Sequence, residues 1–456
     1  MHKRCTVPLL VILAAALAVR LLLGPAPGDS AKLATELRAY RQLRGTISQR
    51  YVEEVPEEAL FFGAMKGMVE SADDDYSEFL PPDEYSEMMD DTGGEFGGLG
   101  IEIYKDKSGY LAVHTPLLGT PAAKAGIRPG DVIVRILQGG SPDAGDWVRT
   151  DEIEQSEAVK LLKGPPGTRV TIEVVSRGEE ETRRVAIERA RIEVPSVHFA
   201  MMLARPGKVG YVDLVRFQDG TEADLAEAID DLLDEGMRGL ILDLRHNPGG
   251  TLISAVRTAN LFLESGTIVS IRGRDPDDPD DNKVYAARKE STLPKFPVAA
   301  LVGQGSASAA EILAAALQDH DRATLVGGRT FGKGSVQSII ALDLGEYGKG
   351  AVKVTSARYY TPEGISISRK PGAEKWGVDP DIEVSVPDEE RRRLWEARTR
   401  AWVRLNSDDG GAPVEDWPAG PHIDRAYGAL TKVLGDGPAV NRPAPQPAPA
   451  PAGAAR

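Results

Sequence analysis

The feature that most constrains the fold is an alternation of short apolar runs with helical stretches in the second half of the chain. The runs have the length and β-branched composition of strands: KVGYVDL, GLILDLR, TIVSI, PVAALVG, ATLVG and AVKVTSARYY. Segments with apolar residues at helical spacing lie between several of them, such as TEADLAEAIDDLLDEGM and ISAVRTANLFLE. Because helices usually connect the strands of a parallel sheet, the alternation predicts an α/β core.

The remainder of the chain divides into regions of different character. Residues 33–90 carry apolar side chains near helical spacing, whereas short β-branched runs punctuated by Gly and Pro extend from Gly93 to about residue 190. The predicted parts are a signal peptide or membrane anchor at 1–30, a helical region at 31–92, a small β-rich domain at 93–190, the α/β core at 191–405, a helical segment at 406–436 and a disordered Pro/Ala-rich tail at 437–456.

Composition excludes several classes of function. The formal net charge of -15 over 456 residues argues against a nucleic-acid partner, which requires a basic face. The single cysteine, Cys5, excludes disulfides and thiolate metal sites from the body of the protein, and the six histidines lack ligand spacing. The acidic run 274–282 lacks the spacing of a calcium loop and is interpreted as a solvated loop. We therefore expect neither a metal nor a cofactor.

The first residues, MHKRCTVPLLVILAAALAVRLLLG, begin with basic side chains and continue into an apolar run that Arg20 interrupts. This pattern is typical of a secretory signal or of a short uncleaved anchor. Either interpretation predicts an exported protein, periplasmic or otherwise extracytoplasmic. If the segment is retained, it would attach the protein to the inner membrane.

Two serines stand one residue apart in GSASAAEILAAAL, just before an alanine-rich helical stretch. Ser308 and Glu311 have the spacing of a capping box, in which the serine only starts the helix. A nucleophilic serine is the alternative, and the local pattern does not choose between Ser306 and Ser308. A nucleophile would need a base elsewhere in the chain.

Lys333 in LVGGRTFGKGSVQ is a candidate base. The segment nearly matches a phosphate loop, but Gly334 stands where Ser or Thr must hold magnesium. A lysine acts as a base only when its pKa falls from about 10.4 by roughly 3 units, which burial can cause. No acid lies within nine residues of Lys333, and Gln337 would orient its amine from about 6 Å away on a helical turn. The alternative is an exposed loop lysine.

The segment GLILDLRHNPGG is a buried-type strand that runs into a tight turn. Consecutive backbone N–H groups in such a turn suit a developing oxyanion. Asp243 and Arg245 are expected to form a structural pair that supports the turn. His246 is a possible alternative base, although a surface or supporting role is the simpler interpretation.

Together these segments resemble the carboxyl-terminal processing peptidases, or tail-specific proteases, which are exported serine–lysine endopeptidases. The similarity covers residues 33–386 through many ordered blocks: GAMKGM, YSEFLPPDEYSEM, GEFGGLGIEI, GTPAAKAGIRPGDVI, AVKLLKGPPGTRV, GLILDLRHNPGG, GSASAAEILAAALQDHDRATLVGGRTFGKGSVQ, YYTPEG and GVDPDIEV. The resemblance implies a Clp protease/crotonase-like α/β core, an inserted PDZ domain at 93–190 and an N-terminal helical region.

The resemblance also implies roles for individual residues. Ser308 corresponds to the nucleophile, Lys333 to the general base and Gln337 to the residue that positions the lysine. The oxyanion donors correspond to Gly249 or Gly250, together with the amide of Ala309.

Two acidic residues match family positions as well. Glu311 corresponds to an acidic residue near the serine. Asp319 matches an aspartate sometimes assigned to a charge relay. Because eleven residues of continuous helix span about 16 Å, we expect Asp319 to be structural or to act from a distance.

Within the PDZ segment, four residues resemble the loop that captures a terminal carboxylate while the peptide adds as a strand: Gly98, Leu99, Gly100 and Ile101. The implied partners are protein substrates with exposed C-terminal tails, with an adaptor protein and a homo-oligomer as further possibilities. The chain departs from the family at His246, where Asn is common, and in the longer segment LQGGSPDAGDWVRTDEIEQ.

Two other functions are compatible with such a core. One is a non-catalytic peptide- or lipid-binding protein, because a fold does not dictate a function. The other is a crotonase-like acyl-CoA enzyme, which the PDZ segment and the export signal disfavour.

Overall fold

The computed structural model describes residues 27–137, 145–179, 181–279, 282–370, 372–406 and 417–434. These residues form two compact units. Of the described residues, the larger unit comprises those within 83–339 and 354–434, and the smaller one comprises 27–82 and 340–353. The predicted signal or anchor lies mostly outside the described residues, as does the Pro/Ala-rich tail.

A six-stranded sheet forms the centre of the larger unit, in the order β10-β11-β12-β15-β16-β19. Five of its strands are parallel, and β10 pairs antiparallel with β11 at one edge. The strands are β10 (Val197–Met202), β11 (Val209–Leu214), β12 (Gly239–Asp243), β15 (Val298–Val302), β16 (Ala323–Gly327) and β19 (Ile382–Glu383). The α/β core predicted from the alternation is confirmed.

Helices cover both faces of this sheet, so its strands read as continuous apolar runs. Side chains from β12 and β15 contribute to a cluster on one face, whereas Tyr211, Ile241 and Ala299 contribute to a cluster with Trp402 on the other face. The first face packs on α6 (Thr221–Asp234), α7 (Leu252–Asn260) and α8 (Ala309–Asp319); the second packs on α9 (Asp388–Leu405) and α10 (Pro421–Leu434).

Two of the predicted strands do not join the central sheet. TIVSI becomes β13 (Thr267–Gly273) and AVKVTSARYY lies in β18 (Lys349–Tyr360), and the two pair with each other antiparallel. β13 also pairs with β14 (Lys283–Ala286), and β18 pairs with β17 (Ser335–Asp343). Strand composition alone does not specify the partner strand, because pairing is decided by tertiary packing.

A second β-rich part of the larger unit has its own apolar core, which includes Leu111, Ile133 and Ile172. Its sheet has the order β3-β4-β5-β7-β8, and β6 pairs with β5. The elements are β3 (Ile101–Lys105), β4 (Leu111–Pro116), α4 (Pro121–Lys124), β5 (Val132–Leu137), β6 (Trp147–Arg149), α5 (Gln155–Leu162), β7 (Arg169–Val175) and β8 (Thr182–Glu188).

This β-rich part is inserted through a two-stranded ribbon. The helix α3 (Pro82–Gly93) leads into β2 (Glu95–Gly98), which pairs antiparallel with β9 (Ala190–Glu193). The chain therefore enters the inserted part beside the point where it leaves it, so the core can be built around the insertion.

The smaller unit contains α1 (Pro27–Arg50), α2 (Glu57–Glu70) and β1 (Glu78–Leu80). β1 pairs antiparallel with residues 351–353, and Phe61 stacks on Tyr347 at 5.0 Å between ring centroids. The sequence predicted helix throughout 33–90, so the strand at Glu78–Leu80 is a difference that arises from this pairing. Among the described residues, no helix is both long and apolar enough to cross a membrane.

Candidate active site

Ser308 lies between the end of β15 and the start of α8, where it is the residue that caps the helix. It is half-buried, and its backbone has φ 54° and ψ -114°. A non-glycine residue held at positive φ costs about 1–3 kcal/mol and is typical of functional sites. The sharp turn therefore presents Ser308 at the helix N-terminus, where negative charge is stabilised.

The structure separates the two serines of the GSAS block. Ser306 is fully buried, and its hydroxyl donates to the carbonyl of Leu244 at 2.7 Å. The same hydroxyl oxygen accepts the Gly303 amide at 3.1 Å. Ser306 therefore holds the loop between two strands, whereas Ser308 is the partly accessible member of the pair.

Glu311 joins the serine to the lysine. Its carboxyl group is fully buried, and Oε2 accepts the amide of Ser308 at 2.8 Å and the amide of Lys333 at 2.9 Å. Oε1 accepts the hydroxyl of Thr330 at 2.5 Å and the amide of Gly332 at 2.7 Å. A single oxygen atom thus binds the backbone of both Ser308 and Lys333, which lie 25 positions apart in the sequence.

Burial raises the pKa of the Glu311 carboxyl, because desolvation disfavours its charged form more than the hydrogen bonds favour it. Tyr359 in β18 adds a further contact, since its hydroxyl lies 3.5 Å from Glu311 Oε2 and donates to the carbonyl of Ser308 at 3.3 Å. The Tyr359 amide donates to the carbonyl of Gly334, the residue after Lys333. Tyr359 therefore contacts both the segment of Ser308 and the segment of Lys333.

Two sequence-based expectations about Lys333 are wrong. The segment after it forms β17 rather than a helical turn, so four residues of strand span about 13 Å instead of about 6 Å. Gln337 donates instead to the hydroxyls of Ser335 at 2.9 Å and Thr355 at 3.2 Å. No acid lies near Lys333 in the sequence, but the fold places the carboxyl group of Glu311 against the Lys333 backbone.

The turn after β12 lies directly against Ser308. A Cβ atom at Gly249 would lie 2.8 Å from Ser308 Cβ and 2.7 Å from the carbonyl oxygen of Ala307, and Gly249 has φ 104°. Its amide donates to Asn247 Oδ1 at 2.9 Å, while Asn247 Nδ2 donates to the Leu214 carbonyl. The turn therefore needs glycine at this point in order to approach the serine. Gly250 follows, and Ala309 opens α8 on the other side.

Asp243 and Arg245 form a buried ion pair at the base of this turn, with Nη2 to Oδ2 at 2.6 Å. Tyr211 also donates to Asp243 at 2.8 Å. Arg245 holds the pKa of Asp243 well below its usual range despite burial. Burial lowers the pKa of His246 to about 4, and its ring lies edge-on to Trp395 in α9 at 4.7 Å.

The other predicted residues lie away from this cluster. The helix α8 is continuous to Asp319, whose carboxylate accepts the amide of Glu363 at 3.0 Å. The PDZ-like loop at 98–101 borders an apolar cavity of about 100 Å³ between β3 and α5. This cavity is lined by Phe96, Leu99, Ile101, Ile103, Val159 and Leu162, among other residues.

Three residues of the site were missed from sequence. Asn247 orients the turn, Thr330 binds Glu311, and Tyr359 contacts the carbonyl of Ser308. Asn247 precedes Pro248, a pair that marks a turn, and it could have been singled out for that reason. Thr330 and Tyr359 carry no local signal, because their partners come from other elements.

Comparisons with known proteins match three parts of the chain. The description "Peptidase family S41" matches residues 208–384, "PDZ domain" matches 87–175, and "Activating protease CtpB N-terminal domain" matches 26–90. A carboxy-terminal-processing protease of Bartonella bacilliformis is 36% identical over 416 residues, covering 88% of this chain and 89% of that relative.

Two further proteins show the same similarity. A carboxyl-terminal-processing protease of Synechocystis is 35% identical over 328 residues, covering 72% of this chain and 71% of that protein. Among solved structures, a photosystem II D1 C-terminal processing protease is 29% identical with a TM-score of 0.42, covering 82% of this chain and 96% of that one. The chain belongs to the carboxyl-terminal processing peptidases of peptidase family S41 and is a serine protease with a PDZ domain.

Proposed function

We propose that the protein is an exported endopeptidase that captures the C-terminal tails of protein substrates in its PDZ groove and cleaves them with Ser308 and Lys333. The observation that carries this proposal is the shared oxygen of Glu311, which binds the amides of both residues. A nucleophile and its base must be held at a constant separation, and one acceptor atom common to both provides that constraint.

In the proposed reaction, Ser308 Oγ attacks the scissile carbonyl carbon while its proton passes to the neutral amine of Lys333. The tetrahedral oxyanion is stabilised by the amide of Ala309 and by an amide of the 249–250 turn. Because the Gly249 amide donates to Asn247 in this conformation, Gly250 is the better candidate for the second donor. The C–N bond then breaks, the leaving amine takes the proton from Lys333, and water hydrolyses the acyl-enzyme.

Gln337 is proposed to position the lysine. Its side-chain nitrogen donates to Ser335 and Thr355, which orients the amide and leaves Oε1 as an acceptor for an amine. Asp319 is proposed to have a structural role, because it binds the loop at Glu363 from the far end of α8.

The tail-binding function is assigned to the groove between β3 and α5. β3 is the edge strand of its sheet, so a peptide can add beside it, and the loop at 98–101 supplies amides at its start. The small apolar cavity beside this strand favours a tail that ends in a small apolar residue. An adaptor protein and a homo-oligomer remain part of this proposal.

Export is proposed from the basic and apolar N-terminus, which is compatible with a cleaved signal or with an inner-membrane anchor. Sequencing the N-terminus of the mature protein from a fractionated cell distinguishes the two. A mature protein that retains its first 30 residues in the cytoplasmic fraction would contradict export.

The experiment that tests the mechanism compares wild type with Ser308→Ala and Lys333→Ala on a protein with a disordered, apolar C-terminal tail. Both variants are expected to lose cleavage while their circular dichroism is unchanged. Lys295→Ala is the matched control, because Lys295 is an exposed lysine of the same unit whose partner is Glu264. Full activity in either active-site variant would exclude the proposed dyad.

A further variant tests the alternative base. His246→Ala is expected to retain most activity if Lys333 is the base. A loss equal to that of Lys333→Ala would transfer the role to the histidine. Binding of the tail by wild type with no new termini in the product would instead favour the non-catalytic alternative.

A further inference from the structure

The three residues 332–334, here called the lysine loop, are contacted by residues 367–369 and by Trp376. The Arg369 amide donates to the carbonyl of Gly332 at 2.8 Å, and Gly332 has φ 90°. A Cβ atom at Gly332 would lie 2.7 Å from Trp376 Cδ1 and 3.0 Å from Arg369 Cβ. Trp376 and Arg369 therefore pack directly on the residue that precedes Lys333.

Two arginine guanidinium groups lie over the ring of Trp376. The Arg329 group lies 4.4 Å from its ring centroid, and the Arg369 group lies 5.3 Å from it. Arg329 is neutralised by Asp379, with Nε to Oδ1 at 2.5 Å. Within the part of the chain that the structure describes, Arg369 forms no ion pair, so its guanidinium charge is not neutralised in the way that Asp379 neutralises Arg329.

The Glu311 carboxyl group also contacts the lysine loop. Glu311 accepts the amides of Gly332 and Lys333, whereas the neighbouring phenol of Tyr359 stays neutral because burial raises its pKa well above the usual value. A carboxylate beside a lysine stabilises the ammonium form, which is inactive as a base. A nearby cation opposes that effect.

We propose that Trp376 and Arg369 are positioning residues for Lys333, with Trp376 holding the guanidinium of Arg369 beside the lysine loop so that its charge offsets Glu311 and favours the neutral amine. This inference rests on the proposed role of Lys333 as the base. It assigns a role to Arg369 and Trp376, which the sequence analysis covered only as part of the family resemblance over residues 33–386.

The expected effect is electrostatic and measurable. A unit charge at about 10 Å shifts a pKa by about half a unit when the effective dielectric constant is about 40. A positive charge lowers the pKa of an amine, so its removal raises the pH at which activity appears. Because Arg369 is exposed, salt is expected to weaken the effect.

The first experiment measures kcat/KM against pH for wild type, Arg369→Gln and the control Arg205→Gln. Arg205 is also stacked on an aromatic ring, Tyr427, and is paired with Asp424, away from the lysine loop. Arg369→Gln is expected to raise the apparent pKa of the acidic limb by about half a unit, and Arg205→Gln to leave it unchanged. Added salt is expected to move the wild-type value towards that of Arg369→Gln.

Trp376→Phe and Trp376→Leu test whether the aromatic ring of Trp376 holds the guanidinium of Arg369. Phenylalanine keeps an aromatic face for the guanidinium, whereas leucine removes it at similar apolarity. We expect Trp376→Leu to raise the apparent pKa as Arg369→Gln does, and Trp376→Phe to restore most of the wild-type value. Equal pH profiles in all variants, even with a lower kcat, would overturn the proposal.

A second measurement does not need activity. Reductive ¹³C-methylation of the Ser308→Ala protein, followed by NMR titration, reports the pKa of Lys333, whose signal is identified by its loss in Lys333→Arg. A rise of about half a unit on adding Arg369→Gln supports the proposal, and an unchanged value overturns it. Retained cleavage in Lys333→Ala would instead show that the proposed function itself has failed.

Discussion

At the scale of single residues, the Glu311 carboxylate links the segment of Ser308 to the segment of Lys333. Its two carboxylate oxygens accept four hydrogen bonds from Ser308, Thr330, Gly332 and Lys333. The sequence pattern identified it as the partner of Ser308 in a capping box, and the family resemblance identified it as an acidic residue near the serine. The structure shows that the same carboxylate also organises the lysine loop, so one side chain serves as a helix cap and as a link between two distant segments.

Glu311→Gln is expected to be damaging although it preserves the shape of the side chain. The amide nitrogen of glutamine must face at least one N–H group in either orientation, so one buried donor loses its acceptor. We expect about 2–4 kcal/mol lower unfolding free energy and about 100-fold lower kcat/KM. Denaturant unfolding and tail cleavage measure the two effects.

Thr330→Val serves as the comparison, because it removes one of the four donors to Glu311 and also the acceptor of the Val378 amide. It is expected to cost about 1–2 kcal/mol of unfolding free energy and to leave the other three hydrogen bonds of the carboxylate in place. If Glu311→Gln proved no more harmful than Thr330→Val, the linking role of the carboxylate would be wrong.

His246 gives a prediction about pH. Burial lowers its pKa to about 4 in the folded state, against about 6.5 when unfolded. The unfolded chain therefore binds the proton first, so this contribution to stability is complete above pH 6.5 and is lost as pH falls towards 4. In His246→Asn, the unfolding free energy is expected to fall less steeply than in the wild type as the pH is lowered over that range. The two slopes are expected to differ by up to about 1.4 kcal/mol per pH unit.

Denaturant titrations at several pH values between 4 and 7 measure this slope. Only the slope is diagnostic, because His246→Asn also removes the edge contact with Trp395 and can shift stability at every pH. Parallel curves for the two proteins would show that His246 is not buried in its neutral form.

At the scale of elements, the turn after β12 and the N-terminus of α8 meet at Gly249. Parallel pairing of β12 with β15 brings the ends of both strands to one edge of the sheet, where both loops emerge. Gly249 permits the close approach, since its missing Cβ would overlap the space of Ala307 and Ser308. The turn that contains Gly249 and the serine are thus brought together by strand register.

Gly249→Ala is expected to displace the serine turn and to strain the backbone at φ 104°. We expect about 1–3 kcal/mol lower unfolding free energy and a loss of most activity. Gly303→Ala is the matched control, because a Cβ atom there would meet nothing within 4 Å. Thermal unfolding and tail cleavage of both variants measure these two effects. Full kcat/KM in Gly249→Ala would show that the close approach of the turn to Ser308 is not needed for activity.

At the scale of the whole molecule, the PDZ domain is docked on the peptidase core through the strand that would receive a tail. Trp402 in α9 donates its indole N–H to Glu102 in β3 at 3.0 Å, and the Leu118 amide donates to Asn406 Oδ1 at 3.1 Å. Leu117 is buried in the same cluster as Trp402. Because Ile101 and Ile103 line the groove, the intervening Glu102 side chain is free to contact the core.

Trp402→Phe removes the indole donor but keeps an aromatic ring against His198, on which Trp402 stacks at 3.8 Å. We expect about 1 kcal/mol lower unfolding free energy and faster amide exchange over residues 101–105. Trp395→Phe is the control, since Trp395 lies on the same helix and packs on His246. Unchanged exchange in Trp402→Phe, measured by hydrogen–deuterium exchange, would show that this bond does not hold the groove strand.

The sequence by itself determined the α/β core, because alternating apolar runs and helical segments are a local signature, and its ordered motifs carried the resemblance that identified the PDZ domain and the peptidase family. It did not determine the antiparallel pairing of β13 with β18, the strand at Gln337 or the acid beside Lys333. Those features depend on partners far apart in the chain, such as Glu311 with Lys333 and Trp376 with Gly332. Only the tertiary structure decided them, because a hydrogen bond or a charge acts through distance in space and not through separation along the sequence.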